Sequence, residues 1–414
     1  MIRRYSRLYY LLALGAVVLL FASTIHAQSR PRRVQQSRKP AEEPLLRPEP
    51  KPSPTARTNP DAPLLTVQPV KPVANTVATG DTTKAFELLQ KKQFAAAAKE
   101  AKEVAARFPN DAEAWKIAGF AELNLKQYSE AALDLQKAVD LQKAAKQEDP
   151  NTADALAQAY VLSENFERAL PLLVTATSRP DAKPDAVMLY YRGLAEYRTG
   201  KLVDAERTLN AVVKLNPKDS LSLFYLGQIA VGKNDLNGAI AVLNRATLSD
   251  PRLAPAWTLL TSAYLRRAAL ATDSTGADAD YLNAVRAGEG LIKVRTDAEA
   301  VTLFGQALIG SGQYARAATA LERAAAESDA KGVTFYLLGV AHSRAKNLPK
   351  AITALETAAK RTPDDVNIYR ELGYAYEVTK QYAKALTAYQ RGSKLAPEDA
   401  DFRQSIERVT PFAK

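Results

Sequence analysis

From Gly193 onward the same residue types return every 34 positions. Gly193 and Gly227 stand 34 apart, as do Gly305, Gly339 and Gly373 in succession; Ala317, Ala351 and Ala385 keep the interval, and so do Pro217 with Pro251 and Pro363 with Pro397. Coincidence would not hold glycine, alanine and proline in one phase. A fixed period of this size means that one supersecondary unit is stacked on copies of itself. Such a unit cannot bury its apolar face alone, so the chain is confined to a quasi-one-dimensional array whose units touch only their neighbours.

Within the period an aromatic or large apolar residue is followed by Leu-Gly, then by Ala twelve positions after the Gly, by an apolar residue four later, and by Pro near the end. The last unit carries Tyr369, Leu372-Gly373, Tyr376, Ala385, Tyr389 and Pro397, and the one before it Phe335, Leu338-Gly339, Ala351, Leu355 and Pro363. Two helices in a hairpin account for these requirements. Gly and Ala let the helix backbones approach, the large residues fill the groove between them, and Pro stops the second helix.

This pattern resembles the tetratricopeptide repeat family over nearly all of residues 78–397. The shared alanine falls at Ala97, Ala131, Ala169, Ala205, Ala239, Ala284, Ala317, Ala351 and Ala385, which gives nine units. The resemblance implies an all-α fold, a right-handed superhelical solenoid of about nine helix-turn-helix hairpins, with the array at 81–397 and a capping helix and tail at 398–414. In the cap, Phe402, Ile406 and Val409 share one helical face. The first unit lacks the Leu-Gly pair and is expected to cap or fray. The sixth has Thr261 in place of Gly, which leaves its register open. The 45-residue step from Ala239 to Ala284 contains Thr272 to Asp280, TDSTGADAD, expected as a loop that lengthens a hairpin and leaves Asp273, Asp278 and Asp280 in solvent.

In such arrays the first helices of successive hairpins line a concave groove, and the resemblance places exposed groove positions one, four, eight and eleven residues after each unit's start. These are Lys116, Phe120 and Leu123; Asp154 and Gln158; Tyr190, Leu194 and Tyr197; Phe224 and Gln228; Thr302 and Gln306; Tyr336 and Val340; and Asn367, Arg370, Tyr374 and Glu377. An aromatic and amide-rich groove of this kind suits an extended or helical peptide, with apolar pockets for its side chains and amides for its backbone. A subclass of the family grips a terminal carboxylate with Lys and Asn. Here Lys116 fits, but Phe120 stands where Asn is needed, so no carboxylate clamp is expected.

Composition narrows the chemistry. With no Cys there is no disulfide, thiol nucleophile or thiolate metal site, and with two His, one of them His26 in the amino-terminal segment, histidine chemistry has almost no material. His342 is expected to pack between helices. No phosphate-binding loop, serine elbow or paired His on a helix is present, so neither an enzyme nor a cofactor or metal site is expected. Residues 1–80 hold 12 Lys/Arg against 4 Asp/Glu, which leaves 44 against 41 for the rest. The basic excess is concentrated in the first fifth, and the array lacks the clustered cations that nucleic acid requires.

That first fifth reads in two parts. Arg3, Arg4 and Arg7 precede the apolar run Leu8 to Ala22, and Ile25-His26-Ala27 follows. Residues 1–27 thus have the pattern of a signal peptide cleaved after Ala27. The run of 15 residues, 18 if extended to Ile25, falls short of the roughly 20 that span a bilayer. Arg30, Arg32, Arg33, Arg38 and Lys39 directly behind it oppose translocation, which keeps an uncleaved membrane anchor as the alternative. Ser6 and Arg7 stand where a twin-arginine signal has apolar residues. Residues 28–80, with 11 Pro between Gln28 and Gly80, read as a basic, disordered linker. The chain is accordingly expected to be a non-catalytic scaffold exported to the periplasm or cell envelope, binding a protein or peptide in its groove. The alternative is a membrane-tethered assembly factor or spacer, with its repeats outside the cytoplasm, for a secretion, pilus or outer-membrane complex.

Overall fold

Each period folds as a helical hairpin. The structure, a computed structural model, describes residues 80–179 and 185–413; the signal-peptide and linker readings for residues 1–79 lie outside them. The hairpins are α1 (Thr83–Gln90) with α2 (Phe94–Arg107), α3 (Ala112–Asn124) with α4 (Tyr128–Ala144), and α5 (Pro150–Leu162) with α6 (Phe166–Thr177). Next come α7 (Ala186–Arg198) with α8 (Leu202–Leu215), α9 (Ser220–Gly232) with α10 (Leu236–Ser249), and α11 (Ala254–Leu270) with α12 (Ser274–Val294). The last are α13 (Ala298–Gly310) with α14 (Tyr314–Ala325), α15 (Gly332–Arg344) with α16 (Leu348–Arg361), and α17 (Val366–Val378) with α18 (Tyr382–Leu395). The helix α19 (Ala400–Val409) and a 3₁₀ turn (Thr410–Phe412) close the array. The described residues are all-helical, as expected, and form a solenoid of nine hairpins with a cap.

The repeated residues set the boundaries of the units. Asp111, Asp149, Asp185, Asp219, Asp297 and Asp365 precede first helices and Asp399 precedes the capping helix, and each carboxylate accepts a hydrogen bond from a backbone N–H in the first turn. This satisfies donors that the helix leaves unpaired. In three units the aromatic residue donates back to the proline carbonyl six positions earlier. Trp115 Nε1 reaches Pro109 O at 2.9 Å, Trp257 Nε1 reaches Pro251 O at 2.9 Å, and the Tyr369 hydroxyl reaches Pro363 O at 2.8 Å. The aromatic ring and the proline recur together because each hydrogen bond ties a first helix to the turn before it.

The turn inside most hairpins needs one residue in the left-handed region. Gly200 and Gly312 supply it in two units, but Lys92, Lys126, Glu164, Asn234, Lys346 and Lys380 do so elsewhere, with φ between 58° and 64°. After α15, Lys346 N–H donates to Ser343 O and Asn347 N–H to His342 O, a Schellman closure that favours glycine. A side chain in this conformation costs about 1 kcal/mol. Lys346→Gly is therefore expected to raise the urea midpoint by an amount equivalent to roughly 0.5–1 kcal/mol. A lower midpoint would mean that the lysine contributes more than its backbone conformation costs.

Between the two helices, glycine meets leucine. A Cβ built on Gly119, Gly193, Gly227, Gly305 or Gly339 would lie 2.4–2.7 Å from a carbon of Leu135, Leu209, Leu243, Leu321 or Leu355 respectively, closer than real Cβ contacts allow. All five leucines are fully buried. In the sixth unit the register holds. Thr261 is buried at the glycine position, its hydroxyl bonded to Trp257 O at 2.8 Å, and the leucine position of α12 is Gly288. The volume gained on one helix is given up on the other, and Phe304 of the next unit packs over Gly288.

The long sixth interval corrects an expectation. Thr272 to Asp280 is not a solvated loop: α12 begins at Ser274, and the extra residues lengthen the two helices to 17 and 21 residues. Asp273 caps α12, accepting from Gly276 N–H at 2.6 Å, and Asp278 is exposed. Asp280 is buried and takes two hydrogen bonds from Arg267, at 2.7 and 2.6 Å. Arg267 also donates to Asn237 Oδ1 of the preceding hairpin at 2.7 Å. Asp273 thus starts the new helix and Asp280 holds the extension down.

Both ends of the array are helical. The first unit forms its hairpin with Ala85 fully buried at the glycine position, and Gly80 N–H donates to Asp111 Oδ2 at 2.8 Å. At the other end Phe402 and Val409 are buried and Ile406 partly so, as the cap requires. Phe402 packs on Gly392 and edge-on against Tyr389 at 6.5 Å.

Candidate interaction surface

First helices form the inner layer. Each of them, from α1 to α17, packs on the next first helix, whereas no pair of successive second helices packs comparably. A solenoid whose first helices touch while its second helices diverge curves toward the first helices, so the expected groove positions do lie together on the inner layer. Their exposure is another matter.

Most of those positions are filled by packing rather than open to a ligand. Lys116, Phe120, Leu123, Gln158, Tyr190, Leu194, Phe224, Thr302, Gln306, Tyr336 and Val340 are all buried. The expectation of exposed groove residues is corrected at each of them. The cause is the close approach of neighbouring first helices, so tight that in α13 every residue from Ala300 to Ile309 is buried. The aromatic residues pack on one another: Phe224 lies 5.3 Å from Tyr225, Tyr197 lies 5.2 Å from Tyr225, and Tyr190 lies 5.8 Å from Tyr191, between ring centroids. Burial pushes the Tyr225 phenol up to about 12 and the Tyr190 phenol well above its ordinary value. Lys116 is spent inside the protein, 2.6 Å from Glu113 and 3.6 Å from Asp149.

The half-buried positions are Asp154, Tyr197, Gln228, Asn367, Arg370 and Glu377. Asp154 is held by Arg179 at 2.8 and 2.6 Å. Glu377 takes hydrogen bonds from Arg408 at 2.7 and 3.0 Å and from the Tyr389 hydroxyl at 2.8 Å, and Arg408 chiefly holds its carboxyl below the ordinary value. Arg370 binds Asp399 through Nη2 and lies over the Phe402 ring at 5.0 Å, while its buried Nε has no hydrogen-bond partner. The Oε1 atoms of Gln228 and Gln306 are likewise without one.

Tyr374 alone among the eighteen expected groove positions is exposed, at 42 %, and Val378 one turn further along α17 is exposed at 48 %. The sequence reading missed Val378, although its spacing of four from Tyr374 puts it on the same helical face. Residues around this pair carry ionic interactions of their own: Arg344 is bidentate to the buried Glu371 at 2.8 and 3.2 Å. The inner layer is therefore closed through the middle of the array and presents an open aromatic–aliphatic surface at its last hairpin.

His342 is buried between helices, as expected, with Nε2 3.3 Å from Glu322 Oε1, and burial lowers its pKa. A cavity of about 380 Å³ beside it is walled by Phe335, Leu338, Pro349 and Ala354. Among the described residues no group of three or more His, Asp or Glu is placed to hold a metal ion, and no helix is long and apolar enough to cross a membrane.

Comparison with known proteins agrees with this architecture. The family model described as tetratricopeptide repeat matches residues 82–150, 155–220, 192–256 and 336–400, together more than half of the chain. It passes over 257–335, where the sixth unit has lengthened helices and no Leu-Gly pair. No curated protein matches the chain. Among solved structures, MamA 41-end from Desulfovibrio magneticus RS-1 is 22% identical, with 46% of this chain and 96% of that one covered at a TM-score of 0.36. YrrB, described as a TPR protein with an unusual peptide-binding site, is 16% identical, with 48% and 97% covered at 0.39. The C-terminal part of a TPR repeat-containing protein from Cytophaga hutchinsonii is 15% identical, with 70% and 99% covered at 0.41. At these identities and TM-scores nothing about binding transfers to this chain.

Proposed function

Because this chain belongs to the tetratricopeptide repeat family, whose fold suggests a protein–protein interaction scaffold, we propose that it is a non-catalytic adaptor that receives a protein or peptide partner at its last hairpin. One observation carries the choice of place: Tyr374 is exposed on the inner layer, where the corresponding residues Phe120, Gln158, Leu194, Gln306 and Val340 of earlier units are buried, and Val378 stands exposed beside it. An exposed aromatic beside an aliphatic residue on a rigid helix is suited to anchor a partner's apolar side chain. The buried aromatics of the middle units serve the array itself.

The amino-terminal sequence supports export of this scaffold to the periplasm or envelope. The short apolar run with the basic cluster directly behind it supports the second reading, a membrane-tethered spacer or assembly factor. Amino-terminal sequencing of the protein from membrane and soluble fractions separates the two: a start at Gln28 in the soluble fraction favours export with cleavage, and an intact Met1 in the membrane favours the tether.

The binding reading is tested with a photo-crosslinking residue at position 374 and, as control, at Leu133, which is 70% exposed on a second helix. Discrete adducts from position 374 alone are expected. Tyr374→Ala should then weaken the identified partner by about tenfold, a typical loss for an aromatic anchor, with an unchanged unfolding midpoint. Equal crosslinking from both positions would overturn this placement.

A further inference from the structure

Between the first two hairpins, Lys102 of α2, with its side chain 46% exposed, reaches in to Glu122 of α3 and Asp134 of α4, which are both buried. Lys102 Nζ is paired with Glu122 Oε1 and lies 3.5 Å from Asp134 Oδ2. Glu122 is 2% exposed and Asp134 8%, and neither Glu122 Oε2 nor Asp134 Oδ2 has a hydrogen-bond partner. Two carboxylates facing one ammonium leave a net negative charge out of water if both ionise, which burial and mutual repulsion oppose. One proton held between them removes that charge and supplies the missing donor.

The surroundings do not relieve the pair. Glu130 of α4 adds further negative potential at Asp134. Of the other charged groups on the helices packed against α3, Lys84 and Glu87 of α1 pair with Glu100 and Lys91, Lys116 of α3 itself with Glu113 and Asp149, and Asp154 of α5 with Arg179, while Lys99, Glu103 and Arg107 of α2 and Lys137, Asp140 and Lys143 of α4 are exposed to solvent. Burial, the largest influence, lifts the Glu122 carboxyl to about 7 and raises Asp134 as well.

We propose that this cluster is a pH-operated latch, in which a proton shared by Glu122 and Asp134 keeps the first hairpin closed on the second and its loss lets that hairpin loosen. The first hairpin is the one that gives way because among the described residues it has a single neighbouring hairpin, and its leading helix is only 8 residues long. Opening returns both carboxylates to water, where they ionise freely. The closed form binds more protons than the open form between the ordinary carboxyl range and about 7, so closure is favoured at low pH, weakens as pH rises through this window and is level above it. The latch is independent of where a partner binds.

Hydrogen exchange of the full-length protein, corrected for intrinsic rates, tests this. Amides in 83–107 should lose about tenfold or more of their protection between about pH 5.5 and about pH 8, while those in 220–249 keep theirs. Glu122→Gln and, independently, Asp134→Asn should each abolish the difference. Protection of 83–107 that is independent of pH in the unmodified protein, or a fall that persists in both variants, would overturn the latch.

Discussion

Gly305→Val is expected to destabilise the seventh hairpin by about 3 kcal/mol, more than a helix-interior glycine would suggest. On an isolated helix this substitution is mildly favourable, since valine has the better helix propensity. Here the new Cβ would lie 2.6 Å from both Cγ and Cδ2 of Leu321, so the hairpin must spread or Leu321 must leave its rotamer, an overpacking penalty of about 1–3 kcal/mol or more. The added γ-methyls push it to the upper end. Leu321 is fully buried, and Leu321→Ala alone should cost about 2–5 kcal/mol through its cavity. In the double variant the valine fills part of that cavity, so the combined loss should fall short of the sum by at least about 1 kcal/mol. The protein already contains such an exchange in Thr261 and Gly288. Gly232→Ala is the control, because nothing lies within 4 Å of its Cβ position. Urea unfolding of the four variants reads the cycle, and a Gly305→Val midpoint close to that of Gly232→Ala would refute the packing account.

Arg267→Met is expected to cost about 2–3 kcal/mol and to fray the extended sixth hairpin. Methionine keeps most of the apolar stem but removes both hydrogen bonds to Asp280 and the one to Asn237. Asp280, buried at the start of the extension, is then left as an unpaired charge, and breaking a buried pair from one side costs roughly 3–5 kcal/mol. The figure is lowered here because the arginine side chain is 33% exposed. Arg267→Met combined with Asp280→Leu should recover most of the loss, since no charge remains to be desolvated. Hydrogen exchange of 264–284 locates the effect. A double variant no more stable than Arg267→Met would show that the bidentate pair holds the helices by geometry rather than by satisfying a buried charge.

These two cases differ in how far the sequence foretold them. The glycine–leucine contact was legible, because small and large residues recur at fixed offsets and helix geometry leaves them little choice but to meet. The arginine–aspartate pair was not. TDSTGADAD has the composition of a loop, yet Asp273 caps a helix and Asp280 is neutralised by a residue thirteen positions away. Local composition does not encode that pairing, which exists only once two helices lie side by side. The groove failed for a related reason. The register correctly placed Tyr190, Phe224 and Tyr336 on the inner layer, but whether that layer is open depends on the spacing between first helices of successive units. That spacing is a sum of many side-chain volumes, and no single position carries it.

The sequence by itself therefore determined the all-helical class, the nine hairpins, their phase and the capping helix, because a 34-residue period leaves each unit an apolar face that only its own copies can cover. Only the tertiary structure decided that the middle of the inner layer is packed shut, that Tyr374 and Val378 stand open at its end, and that the buried carboxylates of Glu122 and Asp134 meet the one ammonium of Lys102. These depend on distances between units, and burial and charge pairing are set by what comes within a few ångströms in space rather than by what is near in sequence.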